Sequence, residues 1–110
     1  MDRQVELTFP GVPEMGRDFL HQDFELQAGD LVEVTLDAPA NVMLLDPANF
    51  SNYEDGLSYR YHGGYVVESP ARLVTPRSGT WHVVVNLGGY PGSVQAVVRI
   101  FRDQGVATSA

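Results

Sequence analysis

Polar and apolar residues alternate along most of this chain, with the period of two that marks a half-buried strand. Residues 4–9, Gln-Val-Glu-Leu-Thr-Phe, open the pattern, which stops at the turn-forming cluster Pro10-Gly11-Val12-Pro13. Over residues 18–27 the residues Leu20, Phe24 and Leu26 share one face, interrupted only by Gln22. Leu31 to Leu36 follows after Ala28-Gly29-Asp30, with Val32 and Val34 turned inward, and the short connection predicts a hairpin. After Asp37-Ala-Pro-Ala40, the strand Asn41-Val-Met-Leu-Leu45 is apolar on both faces near its end, as a central strand is.

The alternation then breaks at Asp46-Pro47. Asn49 to Glu54 predicts one helical turn, capped by Asn49 or Ser51. Leu57 to Tyr61 and Tyr65 to Glu68 flank Gly63-Gly64 and read as a strand pair about a glycine turn. Arg72 to Thr75 is a short strand ended by Pro76. Thr80 to Asn86 is rich in β-branched and aromatic residues, with Trp81, Val83 and Val85 on one face and His82 and Val84 on the other. Gly88-Gly89-Tyr90-Pro91-Gly92 reads as a hairpin connection into a last strand, Ser93 to Phe101. Seven or eight short strands, regularly spaced, with one short helical turn near residues 49–54, predict an all-β protein, an antiparallel β-sandwich. The expected layout is an N-terminal extension or extra edge strand over 1–17, a single sandwich domain over 18–102 and a flexible tail over 103–110.

Composition narrows the chemistry. The 110 residues contain no cysteine, which excludes disulfides, thiolate catalysis and cysteine-ligated zinc. A cysteine-free chain whose N-terminus lacks the basic and apolar blocks of a signal peptide is expected in the cytoplasm. A net charge of -7, with seven scattered arginines and no lysine, argues against nucleic acid and anionic membranes as partners. No stretch approaches the roughly 18 apolar residues of a membrane helix.

The order of several short motifs carries a resemblance. Phe19-Leu-His-Gln-Asp23, Gly29-Asp-Leu-Val-Glu-Val34 and Ala40-Asn-Val-Met-Leu-Leu-Asp46 come first. Asn49-Phe-Ser-Asn-Tyr53 with Gly56, His62-Gly-Gly64, Ser69-Pro70, Gly79-Thr-Trp81 and Leu87-Gly-Gly-Tyr90 with Gly92 follow. Together they resemble a small bacterial family known as domain of unknown function 1883, over about residues 19–101. The resemblance implies a β-sandwich, found alone or beside signalling domains such as TIR domains, with no established activity. The chain departs from that pattern at Gln22, where an aromatic residue is usual, at Asn86, where an acid is usual, and over residues 1–17, which have no counterpart.

The densest cluster of side chains able to bind a ligand lies between Asn41 and Gly64. Asp46, Asn49, Asn52, Tyr53, Tyr61 and, from the second glycine loop, Tyr90 form the candidate contact surface for a protein or a small polar ligand. Tyr59 and Tyr65 add flat faces with hydroxyl handles. The plainer reading is that Asp46 and Asn49 bond to nearby backbone while the tyrosines cover an end of the sandwich. The oxygen ligands Asp46, Asn49, Asn52, Glu54 and Asp55 do not match a calcium loop, so no metal and no cofactor is expected. His21, His62 and His82 form no metal motif; His21 and His82 can meet only if their strands pair. No serine lies in a nucleophile elbow. Trp81 reads as a core anchor.

These residues favour a non-enzymatic binding or interaction module. The alternatives are a small hydrolase-like enzyme using His62 or His82 with an acid such as Asp46, and a structural domain, such as a dimer, that self-associates through an edge strand.

Overall fold

A computed structural model describes residues 4–9, 19–88 and 94–102. The strands are β1 (Gln4–Phe9), β2 (Phe19–Leu26), β3 (Leu31–Leu36), β4 (Ala40–Leu45), β5 (His62–Val66), β6 (Ala71–Val74), β7 (Gly79–Asn86) and β8 (Ala96–Phe101). One helix, α1 (Pro47–Glu54), lies between β4 and β5. The strands form two four-stranded antiparallel sheets, in the orders β1-β8-β3-β6 and β2-β7-β4-β5. The protein is an antiparallel β-sandwich with one short helix.

The inward faces meet as the alternation requires. Leu20, Leu26, Val42, Leu44, Trp81, Val83 and Val85 come from one sheet and Val32, Val34, Ala96, Val98 and Ile100 from the other. β4 is also apolar on its outer face for a definite reason. Met43 and Leu45, with Val84 of β7, form a second cluster closed by Phe50 of α1. The helix lies on the outside of the β2-β7-β4-β5 sheet, so this sheet is buried on both sides at its centre. β4 is a central strand, between β7 and β5.

Three local readings are corrected. First, β2 and β3 do not form a hairpin: β2 pairs with β7, and β3 pairs with β6 and β8. Ala28-Gly29-Asp30 is an arch between the sheets. Gly29 takes φ 91°, its N–H donates to the Thr75 carbonyl, and Thr75 N–H donates back to the Asp30 carbonyl. The Asp30 side chain, 1% exposed, accepts from Gln27 N–H and from Arg102. Second, Gly63-Gly64 is not a turn between two strands. Both glycines lie inside β5, and Leu57 to Tyr61 is not a strand. Third, the connection after β7 is not a hairpin, because β7 and β8 belong to different sheets.

The Pro10–Pro13 turn, residues 89–93 with Tyr90, and the expected tail over 103–110 lie outside the described residues.

Candidate functional site

Asp46-Pro47 does more than break a strand. Asp46 is extended (φ -77°, ψ 170°) and its Oδ1 accepts the Asn49 N–H at 2.8 Å, so it is the helix N-cap, with Pro47 following at the start of the helix. The helix therefore starts two residues before the expected turn, and its cap is Asp46 rather than Asn49 or Ser51. Asn49 serves the same corner. Its Nδ2 donates to Asp46 Oδ1 at 2.9 Å, and its Oδ1 accepts the Arg60 N–H at 2.7 Å. Asp46 Oδ2 accepts from the Arg77 guanidinium at 2.7 Å. The backbone and side-chain bonds from Asn49, together with Arg77, hold the Asp46 carboxyl below the usual aspartate range, against the opposing effect of its partial burial.

This corner forms one wall of a depression of about 650 Å³. Buried Leu44 and Trp81 form its floor, and Tyr59, Arg60, Tyr61, His62 and Arg77 complete the walls. Trp81 Nε1 donates to the Arg77 carbonyl at 2.9 Å. The Arg77 guanidinium carbon lies 4.8 Å from the Trp81 ring centroid, and the His62 ring meets Trp81 edge-on at 5.9 Å. A smaller hollow of about 280 Å³, lined in part by Asn41, Asn86 and Gly64, shares Tyr59 and Tyr61 with the first. Tyr53, Tyr59 and Tyr61 form a chain of rings, at 5.1 Å and 5.8 Å between successive centroids.

Of the six contact candidates, Asp46, Asn49 and Tyr61 line the larger depression. Tyr53 does not. Its hydroxyl accepts from Asn86 Nδ2 at 3.0 Å, and Asn86 Oδ1 accepts from Asn41 Nδ2 and from Gly88 N–H. Asn52, half-buried, uses its carbonyl to accept the Leu57 N–H beyond the helix end. Tyr90 lies outside the described residues. Sequence reasoning missed Arg60 and Arg77. Arg60 had a signal in its place between Tyr59 and Tyr61. Arg77, 31 positions from the carboxylate it binds, had none.

His21 and His82 do meet, because β2 and β7 pair. Nε2 of His21 lies 2.7 Å from Nδ1 of His82, and Phe50 lies flat across both rings at 4.2 Å and 4.3 Å. One nitrogen of that contact must carry the proton and the other must be bare. The pair sits under α1, and His82 does not line the depression. Burial pushes the His82 pKa below its ordinary 6.5, and the charges of Asp23, Glu54 and Asp46 oppose this. The unfolded chain then binds a proton that the folded one refuses, so stability is lost as pH falls below about 6.5 and stops falling below the folded value. Melting temperature should therefore drop more between about pH 7.5 and pH 5 in the wild type than in His82→Phe. Parallel curves for the two proteins would contradict this account.

Among the described residues no group of three or more His, Cys, Asp or Glu is placed to hold a metal ion, and no helix is long and apolar enough to cross a membrane.

The family comparison matches residues 17–104 to the sequence profile of "Domain of unknown function (DUF1883)". The chain belongs to this family. No curated protein matches the chain. Among solved structures this DUF1883 domain is similar to PliG of Aeromonas hydrophila, a periplasmic lysozyme inhibitor of g-type lysozyme. The TM-score is 0.58 and the identity 16%, over 92% of this chain and 86% of PliG. At that identity the likeness is one of fold.

Proposed function

We propose that this DUF1883 domain is a non-enzymatic binding module whose contact surface is the depression between α1 and β5. The observation that carries this reading is the distribution of polar groups around it. Asp46 and Asn49 are committed to holding the corner, whereas the side chains of Tyr59, Arg60 and Tyr61 make no hydrogen bond or ion pair among the described residues. Asp46 and Asn49 thus shape the site and Tyr61 touches the ligand, with Tyr53 and Asn52 supporting the same wall and Tyr90 part of the same proposal. The depression's volume is within the range of roughly 300–1,000 Å³ usual for ligand sites.

Hydrolysis is less well supported. A carboxylate with a lowered pKa, bonded to Asn49 and Arg77, is a poor general base. His82 is bonded to His21 outside the depression, and His62, which lines it, meets the edge of Trp81 and is bonded to no carboxylate among the described residues.

A protein as the ligand is favoured by a separate observation. Tyr65, on the edge strand β5, and Val67, immediately after it, are each more than half exposed. The comparable fold of PliG serves inhibition of a lysozyme, itself a protein. The absence of cysteine suits a reducing compartment, and the cytoplasm belongs to this reading.

A thermal-shift screen against sugars, nucleotides and short peptides, followed by pull-down from the native lysate, tests the proposal. A ligand specific to the folded state stabilises by about 2.7 kcal/mol at a hundredfold excess over its Kd. Tyr61→Ala, at a 46% exposed position, should abolish the response while melting, without ligand, where the wild type does. If every hit and every captured partner survives Tyr61→Ala and Arg77→Ala alike, the contact surface lies elsewhere.

A further inference from the structure

The depression is rich in donors and short of acceptors. Its single carboxylate among the described residues, Asp46, is occupied at both oxygens, and the Asn49 side-chain oxygen is taken by the Arg60 N–H. Against that one acid stand two guanidinium groups. Arg60 brings five N–H donors and no partner among the described residues. Arg77 is held in place by its ion pair and by the Trp81 face, and one nitrogen accounts for its only side-chain hydrogen bond among the described residues. The Tyr59 and Tyr61 hydroxyls add two further groups able to donate. This is a local excess of positive charge on a chain of net charge -7. The side-chain acceptors left to a cation, the Tyr59 and Tyr61 hydroxyls and the His62 ring, are neutral when they accept, so the depression favours an anion over a cation. A planar pair of anionic oxygens matches the guanidinium fork. Beside it, the Tyr59 and Tyr61 rings, 37% and 46% exposed, offer flat apolar surface to whatever carries that group, above a floor of buried Leu44 and Trp81.

Resting on the reading of this depression as the binding site, we propose that it takes an organic carboxylate carried on a ring or a short apolar body. Arg60 and Arg77 grip the carboxylate and the exposed Tyr59 and Tyr61 rings pack against the body, while Trp81 lies beneath Arg77. Arg77 is preset by Asp46, so the acid in the wall orders the cation that recognises the ligand. A free small acid and the C-terminal carboxylate of a peptide share this chemistry.

Trp81 is the only tryptophan, so its fluorescence reports on the floor of the site. Titration of the full chain with 3-phenylpropionate and glucuronate, beside 3-phenylpropionamide and glucose, isolates the charge. An acetylated dipeptide ending in phenylalanine, with a free or an amidated C-terminus, tests the second source. At least one acid should shift the emission saturably, its neutral counterpart should bind about tenfold more weakly or less, and Arg60→Gln should lose about tenfold in affinity. That variant keeps the backbone bond to Asn49, so its melting temperature should be that of the wild type. A preference for the peptide acid assigns a protein terminus, and a preference for the small acids a free ligand. Equal binding of acid and neutral partner, or an acid indifferent to Arg60→Gln, overturns the carboxylate assignment and leaves the depression a binding site of another chemistry. No response to any probe also overturns it, and the Tyr61→Ala comparison decides separately whether the depression binds anything.

Discussion

Trp81→Ala should destabilise the domain by about 3–5 kcal/mol, the usual cost of truncating a buried tryptophan. For a chain of this size that is a fall of more than about 10 °C in melting temperature. Three losses combine. The side chain is 2% exposed, sits in β7 opposite Phe24 and packs among Leu44, Val83 and their neighbours between the sheets. Its Nε1 donates to the Arg77 carbonyl, which fixes the chain just before β7. Its ring face supports the Arg77 guanidinium, and through it the ion pair to Asp46. Trp81→Phe separates these effects. It keeps most of the apolar volume and deletes the indole N–H, so it should cost about 1–2 kcal/mol. Chemical denaturation of the three proteins measures both steps. An alanine variant within about 1 kcal/mol of the wild type would remove Trp81 from the core.

The same residue illustrates how the sequence informs the structure. Trp81, Val83 and Val85 could be assigned to one face of a strand from alternation alone, and the core contains all three. The outer face was harder. His82 and Val84 read as the other side of that strand, but the cover over them, Phe50, arrives from a helix whose start was hidden. Asp46-Pro47 looks like a strand terminator, and the same two residues are an N-cap and a first helical residue. The difference lies in the Asn49 N–H, which bonds Asp46 three residues back: Asp followed by Pro suits a strand end and a helix start alike, and only this local bond decides between them.

The connections differ from what their composition predicts for a single physical reason. A short polar link such as Ala28-Gly29-Asp30 reverses the chain whether the next strand pairs with the last or crosses to the other sheet. Local composition encodes the reversal, and only the partners of β2 and β3 decide the sheet. The buried Asp30, bonded to Gln27 and Arg102, is the mark of an arch. The candidate site followed the same rule. Tyr61, Asp46 and Asn49 are near one another in sequence and were found together. Arg77 joins them from the approach to β7, and no spacing announces it.

Gly63→Ala should be nearly as damaging, although it adds only a methyl group. Paired glycines in a polar, aromatic stretch read naturally as a turn, yet β5 runs through them and pairs Gly63 with Met43 of β4. Gly63 has φ 127°, where any other residue is strained, by about 1–3 kcal/mol. A Cβ built there collides with the Val42 carbonyl oxygen, which is backbone and cannot rotate away. Relief requires β5 to move off β4, and β5 carries His62, one wall of the depression, with Tyr59 to Tyr61 immediately before it. The variant should therefore lose about 3 kcal/mol or more of stability and, where it still folds, bind any ligand of the proposed Tyr61 surface more weakly. Hydrogen exchange separates the two consequences. Amides of β4 and β5 should lose protection well beyond those of β3 and β8, which lie in the other sheet. Uniform loss across both sheets, or a variant as stable as the wild type, would show that the close approach of β5 to the Val42 carbonyl does not hold this edge in place.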